Sequence, residues 1–175
     1  MLEQNHLPNF EQAVLPHLDA AYNLARWLIR SPADAEDVVQ EACLRALRFF
    51  DGFRGGDSRA WLLKIVRNTC YSWLKKNRPT ELSDEFDETV HSSEVPGENA
   101  EAKLVSHANS EHVRKALETL PAGFREVLVL REIEELSYKE ISDVTGVPMG
   151  TVMSSLSRAR QRLREELRAA AGKGV

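Results

Sequence analysis

Ser137 to Leu167 reads SYKEISDVTGVPMGTVMSSLSRARQRLREEL, and this stretch decides the fold. Ser137 and Glu140 have the spacing of a capping box, in which each side chain bonds the other's backbone N–H. Ile141 and Val144 fall on the inner side of the helix that follows. Gly146 supplies the left-handed conformation that ends a helix, and Val147 and Pro148 lead into a longer one. In that second helix Val152, Leu156, Ala159 and Leu163 form one apolar stripe. Two helices joined by a turn that holds glycine, the second the longer, make a helix-turn-helix over 137–164.

Working outward, the preceding segment adds two helices. One starts near Ser110 and stops at Pro121; the next carries Val127, Leu128, Leu130 and Ile133. Further upstream, three more helices are expected. Asn9 and Gln12 suggest a capping box before Leu15, Leu18, Tyr22, Leu24 and Leu28, with Pro16 kinking that helix. Ser31 caps a second helix, with Pro32 at its first position and a buried stripe of Val38, Val39, Ala42, Ala46 and Phe49. A loop over Asp51–Gly56 follows. Asp57 then caps a third helix in which Trp61, Leu62, Ile65, Thr69 and Trp73 share a face. Nothing reads as a strand, so the class is all-α.

Charge divides the chain. Residues 1–78 hold 11 Lys/Arg and 9 Asp/Glu, and residues 111–175 hold 11 and 10. Between them, residues 79–109 hold Lys103 against eight acids, with Pro79, Pro96 and Gly97 and no sustained apolar period. That is a linker composition. The expected organisation is a three-helix domain over 9–78, an acidic linker over 79–109, and a helix-turn-helix domain over 110–170.

Composition removes several functions. The formal net charge of −4 argues against a uniformly basic nucleic-acid coat but leaves room for a basic face. No apolar run approaches the roughly 20 residues of a membrane helix, and MLEQNHLPNFEQ lacks the pattern of a signal peptide. No membrane insertion and a cytoplasmic location are expected. Cys43 and Cys70 belong to no metal-like cluster, and the five histidines are scattered, so no metal site is expected. No GxSxG elbow occurs, and Gly55 with Gly56 alone does not make a phosphate loop. The chain shows no catalytic constellation and implies no cofactor.

Three surfaces remain. A helix-turn-helix sets its second helix into the DNA major groove. With the apolar stripe inward, Gly150, Thr151, Ser154, Ser157, Arg158 and Gln161 point outward, flanked by Met153, Arg160 and Arg162. Five arginines between 158 and 168 suit phosphate contact. On the third helix, Lys64, Arg67, Asn68, Tyr71 and Lys75 recur opposite the apolar stripe, a basic and aromatic mixture suited to a nucleic-acid strand. On the second, Asp34, Asp37, Gln40, Glu41 and Leu44 make an acidic face with one apolar residue, able to dock a basic partner. Taken alone, the last two faces suit a solvated surface at least as well.

The order of these stretches resembles the small two-domain bacterial sigma factors of the extracytoplasmic-function group. Three segments carry the resemblance: DAEDVVQEACLRAL (Asp34–Leu47), FRGGDSRAWLLKIVRNTCYSWLKK (Phe53–Lys76) and LPAGFREVLVLREIEELSYKEISDVTGVPMGTV (Leu120–Val152). It implies a non-enzymatic subunit that binds the clamp helices and flap of core RNA polymerase, recognises promoter DNA and answers to an anti-sigma partner. By position, Asp34, Asp37, Gln40, Glu41 and Leu44 would contact the clamp. The loop of Phe53, Arg54, Gly55, Gly56, Asp57 and Ser58 would pocket a flipped base of the −10 element. Lys64, Arg67, Asn68, Tyr71 and Lys75 would hold the adjoining strand. Thr151, Met153, Ser154, Ser157, Arg158, Arg160 and Arg162 would meet the −35 element. The linker would thread the RNA-exit path.

The chain departs from that family's usual GTVKSRL or GTVRSRL, reading GTVMSSL over Gly150–Leu156, so Met153 and Ser155 replace two basic residues. Ser72 stands for a frequent Asp and Ser142 for a frequent Ala. Two other functions fit less: a sigma-like decoy that sequesters an anti-sigma protein without binding DNA, and a helix-turn-helix repressor with a sensor domain.

Overall fold

The computed structural model describes residues 6–82 and 110–173; most of the expected linker lies outside them. The described chain is helical throughout and forms two compact units that part beside Pro79. Each is built separately below.

The first unit begins with α1 (His6–Val14), a 3₁₀ turn (Leu15–His17) and α2 (Leu18–Ile29). Pro16 sits in that turn, because its missing N–H and fixed φ interrupt the α-helical ladder. Asn9 lies inside α1, so it is not the expected cap. Arg30 closes α2 in the left-handed region at φ 71°. Two arginines satisfy the carbonyls released there: Arg26 donates to the Arg30 oxygen, and Arg78, 48 residues beyond Arg30, donates to Ile29 O at 2.6 Å. Ser31 then caps α3 (Pro32–Phe49), accepting from the Asp34 N–H at 3.4 Å. A second 3₁₀ turn (Phe50–Gly52) and a loop lead to α4 (Ser58–Asn77), capped by Asp57 through Ala60 N–H at 3.0 Å. A short α5 (Pro79–Leu82) ends the segment.

Helices α2, α3 and α4 pack pairwise around one core. The fully buried positions of α3 are small, Ala35, Ala42 and Ala46 with Val38, which lets its neighbours approach closely. Phe49 does not join that stripe: it is 59% exposed. The chain leaves the helix there, and the half-buried Phe50 meets Phe10 edge-on at 5.5 Å. On α4 the buried face is Leu62, Leu63, Val66, Thr69, Cys70 and Leu74, while Trp61, Ile65 and Trp73 are half-buried. The expected single stripe is broader because α4 is covered by both α2 and α3.

From residue 110 onward the chain forms α6 (Ser110–Glu118), α7 (Ala122–Leu128), a π-helical turn (Val129–Ile133), α8 (Tyr138–Thr145) and α9 (Met149–Lys173). The π turn is seen in the Glu134 N–H bonding Val129 O at 2.9 Å. It rotates the chain out of register, so Ile133 reaches solvent instead of the core. Arg131 holds the following loop, donating to Leu136 O at 2.9 Å and lying 4.6 Å from the centre of the Tyr138 ring. The capping box forms as expected, with Ser137 N–H to Glu140 Oε1 at 3.0 Å and Glu140 N–H to Ser137 Oγ at 3.1 Å. Gly146 has φ +78°, a conformation side chains rarely adopt. Ser142 donates its hydroxyl to Val147 O at 2.5 Å and braces this turn. Helix α9 packs on α6 and α7 through Val152, Leu156, Ala159 and Leu163.

Candidate functional site

The outer face of α3 follows directly from its core. With Ala35, Val38, Ala42 and Ala46 inward, Asp37, Gln40, Glu41 and Leu44 are left exposed on the other side. Leu44 is 58% exposed, an apolar side chain among polar ones. Asp34 is half-buried in the first turn, where its charge favours the helix N-terminus. Glu41 is tied to Arg45 at 3.2 Å, and Arg45 reaches Thr69 Oγ1 on α4 at 3.4 Å. The rest of the acidic face is open to solvent.

The loop after α3 is anchored at both ends. Phe53 lies in an aromatic cluster, 5.9 Å from Phe50 and 5.0 Å from Trp61 between ring centres. Asp57 is the cap of α4, and Ser58 Oγ is 3.2 Å from His17 Nε2. Between these anchors Gly55 and Gly56 have φ of +87° and +90°, with open space where a side chain would stand. Both glycines are exposed, and only glycine takes two such successive conformations readily. Arg54 beside them is exposed.

Along α4, Lys64, Asn68 and Lys75 are exposed, and Arg67 and Tyr71 are half-buried. The Arg67 guanidinium lies 4.0 Å from the Tyr71 ring centre, so charge and aromatic surface form one flat stack. This face lies on the helix that follows the glycine loop.

On α9 the structure sorts the expected reading residues. Met153, Gln161 and Arg162 are exposed; Thr151, Ser154 and Arg158 are half-buried. The Ser154 hydroxyl donates to Thr151 O at 3.1 Å. Arg160 and Ser157 do not lie on the outer face where the spacing places them. Arg160 is buried and bonded to Glu132, through Nε at 3.0 Å and Nη2 at 2.7 Å. Its guanidinium belongs to the core edge, not to the outer surface. Ser157 is buried as well, because the helix turns that side toward the body of the unit. Ser155 is 1% exposed, and its Oγ meets no hydrogen-bond partner. Its lack of charge therefore subtracts nothing from the outer face. Sequence reasoning passed over Met149, which opens the helix and is exposed; next to Pro148 and before the apolar stripe begins, it gave no periodic signal.

Known proteins can be set beside this geometry. Residues 13–80 match Sigma-70 region 2, and residues 110–163 match Sigma-70, region 4. An extracytoplasmic-function (ECF) RNA polymerase sigma factor, SigE of Mycolicibacterium smegmatis, is 33% identical over 170 residues; the match covers 94% of this chain and 64% of that protein's length. The RNA polymerase sigma-E factor of Streptomyces avermitilis is 33% identical over 161 residues, 90% of this chain and 84% of that one. Among solved structures, the sigma factor RpoE in complex with the anti-sigma factor NepR from Bartonella quintana aligns with a TM-score of 0.69 at 30% identity, covering 91% of this chain and 97% of that one. The chain belongs to the sigma-70 family, as a sigma factor of the extracytoplasmic-function group. Proteins of this family act as transcription initiation factors and are not enzymes. Among the described residues no helix is long and apolar enough to cross a membrane.

Proposed function

We propose that this protein binds core RNA polymerase through α3, recognises and opens the −10 element through the Phe53–Ser58 loop and the outer face of α4, and reads the −35 element through α9. It acts in the bacterial cytoplasm, released or withheld by an anti-sigma partner. The observation that carries this reading is the order of three surfaces along one chain: an acidic face with exposed Leu44, a double-glycine loop continued by a basic and aromatic helix face, and a helix-turn-helix. Each has the chemistry its contact requires. Like charges repel and unlike charges steer, so Asp37 and Glu41 suit a basic partner surface. A guanidinium stacked on an aromatic suits an unpaired strand.

Anti-sigma control has a parallel in RpoE, whose solved structure is a complex with NepR. The decoy reading rests on the two usual basic residues replaced by Met153 and Ser155. With Ser155 buried, only Met153 still supports it.

Run-off transcription with purified core polymerase and a promoter library tests the proposal. Promoter-specific transcripts that depend on this chain support it. No transcripts, together with tight binding of an anti-sigma protein, would select the decoy.

A further inference from the structure

We propose that Met149 and Met153 read thymine methyl groups in the −35 element. The inference rests on the reading of α9 as the promoter-recognition helix. Met149 opens that helix and Met153 follows one turn later, so their side chains share one flank. They are 47% and 38% exposed, on a helix that buries Val152, Leu156, Ala159 and Leu163.

Their surroundings are poor in donors. Gly150 has no side chain, and nothing stands within 4 Å of where one would be. The Ser154 hydroxyl is spent on Thr151 O. Thr151 is half-buried and Ser157 is buried. The first two turns therefore offer no forked donor of the kind that guanine O6 and N7 accept. The first arginine of the helix is Arg158, about 13 Å along the axis from Met149.

The helix is thus divided by chemistry. Its N-terminal turns are apolar and its later turns cationic, with Arg158, Arg162, Arg164 and Arg168. In a helix-turn-helix the N-terminal part of the second helix meets base edges, and cationic side chains meet phosphates. An apolar side chain in the major groove of unmodified DNA has one apolar complement there, the thymine C5-methyl. Methionine suits it, because three rotatable bonds and a polarisable sulfur let it settle on a small target. The arginines on the same helix favour a phosphate-bearing occupant over an apolar protein surface.

The test uses holoenzyme assembled from the full chain and core RNA polymerase. Duplexes with a randomised −35 segment are selected by binding, and each thymine of the selected sequence is then replaced singly by deoxyuridine, which deletes the methyl and keeps the pairing. Thymine should be enriched at one or two positions, and deoxyuridine there should weaken binding about fourfold, the effect of one buried methyl. The double variant Met149→Ala, Met153→Ala should bind both duplexes equally. Equal binding of the two duplexes by the unaltered protein would overturn the inference, as would a penalty that persists in the double variant. A holoenzyme that forms but selects no −35 sequence overturns the promoter reading of α9, and this inference with it.

Discussion

Arg160 places two nitrogens on one oxygen of Glu132, at 3.0 and 2.7 Å, and both side chains are at least nine-tenths buried. The pair ties the middle of α9 to the π turn that precedes the helix-turn-helix. Removing one partner strands the other charge away from water. Glu132→Gln should therefore destabilise the second unit by about 3 kcal/mol, lowering its transition in calorimetry of the full chain. A transition within a degree of the unaltered protein would show that the pair does not hold α9.

Arg158 should behave differently from Arg160. It is the arginine on the outward side nearest the helix start, and it has half-exposed surface to offer. Arg158→Ala should reduce −35-dependent transcription by about an order of magnitude, as expected for the loss of a charged DNA contact. Arg160→Ala should lower melting first and transcription as a consequence. If Arg158→Ala leaves −35-dependent transcription intact, α9 does not read DNA as proposed.

Reversing Asp37 and Glu41 to Lys should strongly weaken holoenzyme assembly. Both are exposed on the outer face of α3, so the variant keeps the core of the first unit and changes only the charge offered to a basic surface. Glu41 also gives up its contact with Arg45, an exposed pair whose loss costs well under 1 kcal/mol. Pull-down of core polymerase measures the effect. Capture equal to that of the unaltered protein would remove α3 from the interface.

Ser155→Ala should stabilise the second unit by about 1 kcal/mol. A buried hydroxyl without a partner gives up its water and gains nothing in return. Alanine keeps the space and has the higher helix propensity. Urea unfolding followed by circular dichroism reads the change; a loss of stability would mean that the hydroxyl is satisfied in solution.

Burial pushes the Cys43 thiol above its ordinary value. The thiolate is the reactive form, so Cys43 should alkylate more slowly than a free thiol at neutral pH. Because the folded-state value is the raised one, the destabilisation it implies is absent below the ordinary thiol range and grows as pH rises through it. Iodoacetamide labelling at pH 7 and pH 9 measures this. A rate at pH 7 equal to that of free cysteine would contradict it.

What the sequence by itself determined is what neighbours along the chain decide. The caps at Ser31, Asp57 and Ser137 with Glu140, the left-handed Gly146 and the Pro16 break all rest on contacts within a few residues, and all were legible. So were the outer faces of α3 and α4, since a helical period fixes one side once the other is apolar. The tertiary structure decided where a helix meets more than one neighbour or where a partner lies far along the chain. Helix α4 is covered on two sides, which widened its buried face beyond one stripe. Phe49 stays exposed, while the half-buried Phe50 meets Phe10, Phe53 and Trp61. Arg160 looked like a phosphate ligand by composition, yet Glu132, 28 residues earlier, claims it. Periodicity reports which side of a helix is apolar; it does not report which charge a distant turn will bring against that side.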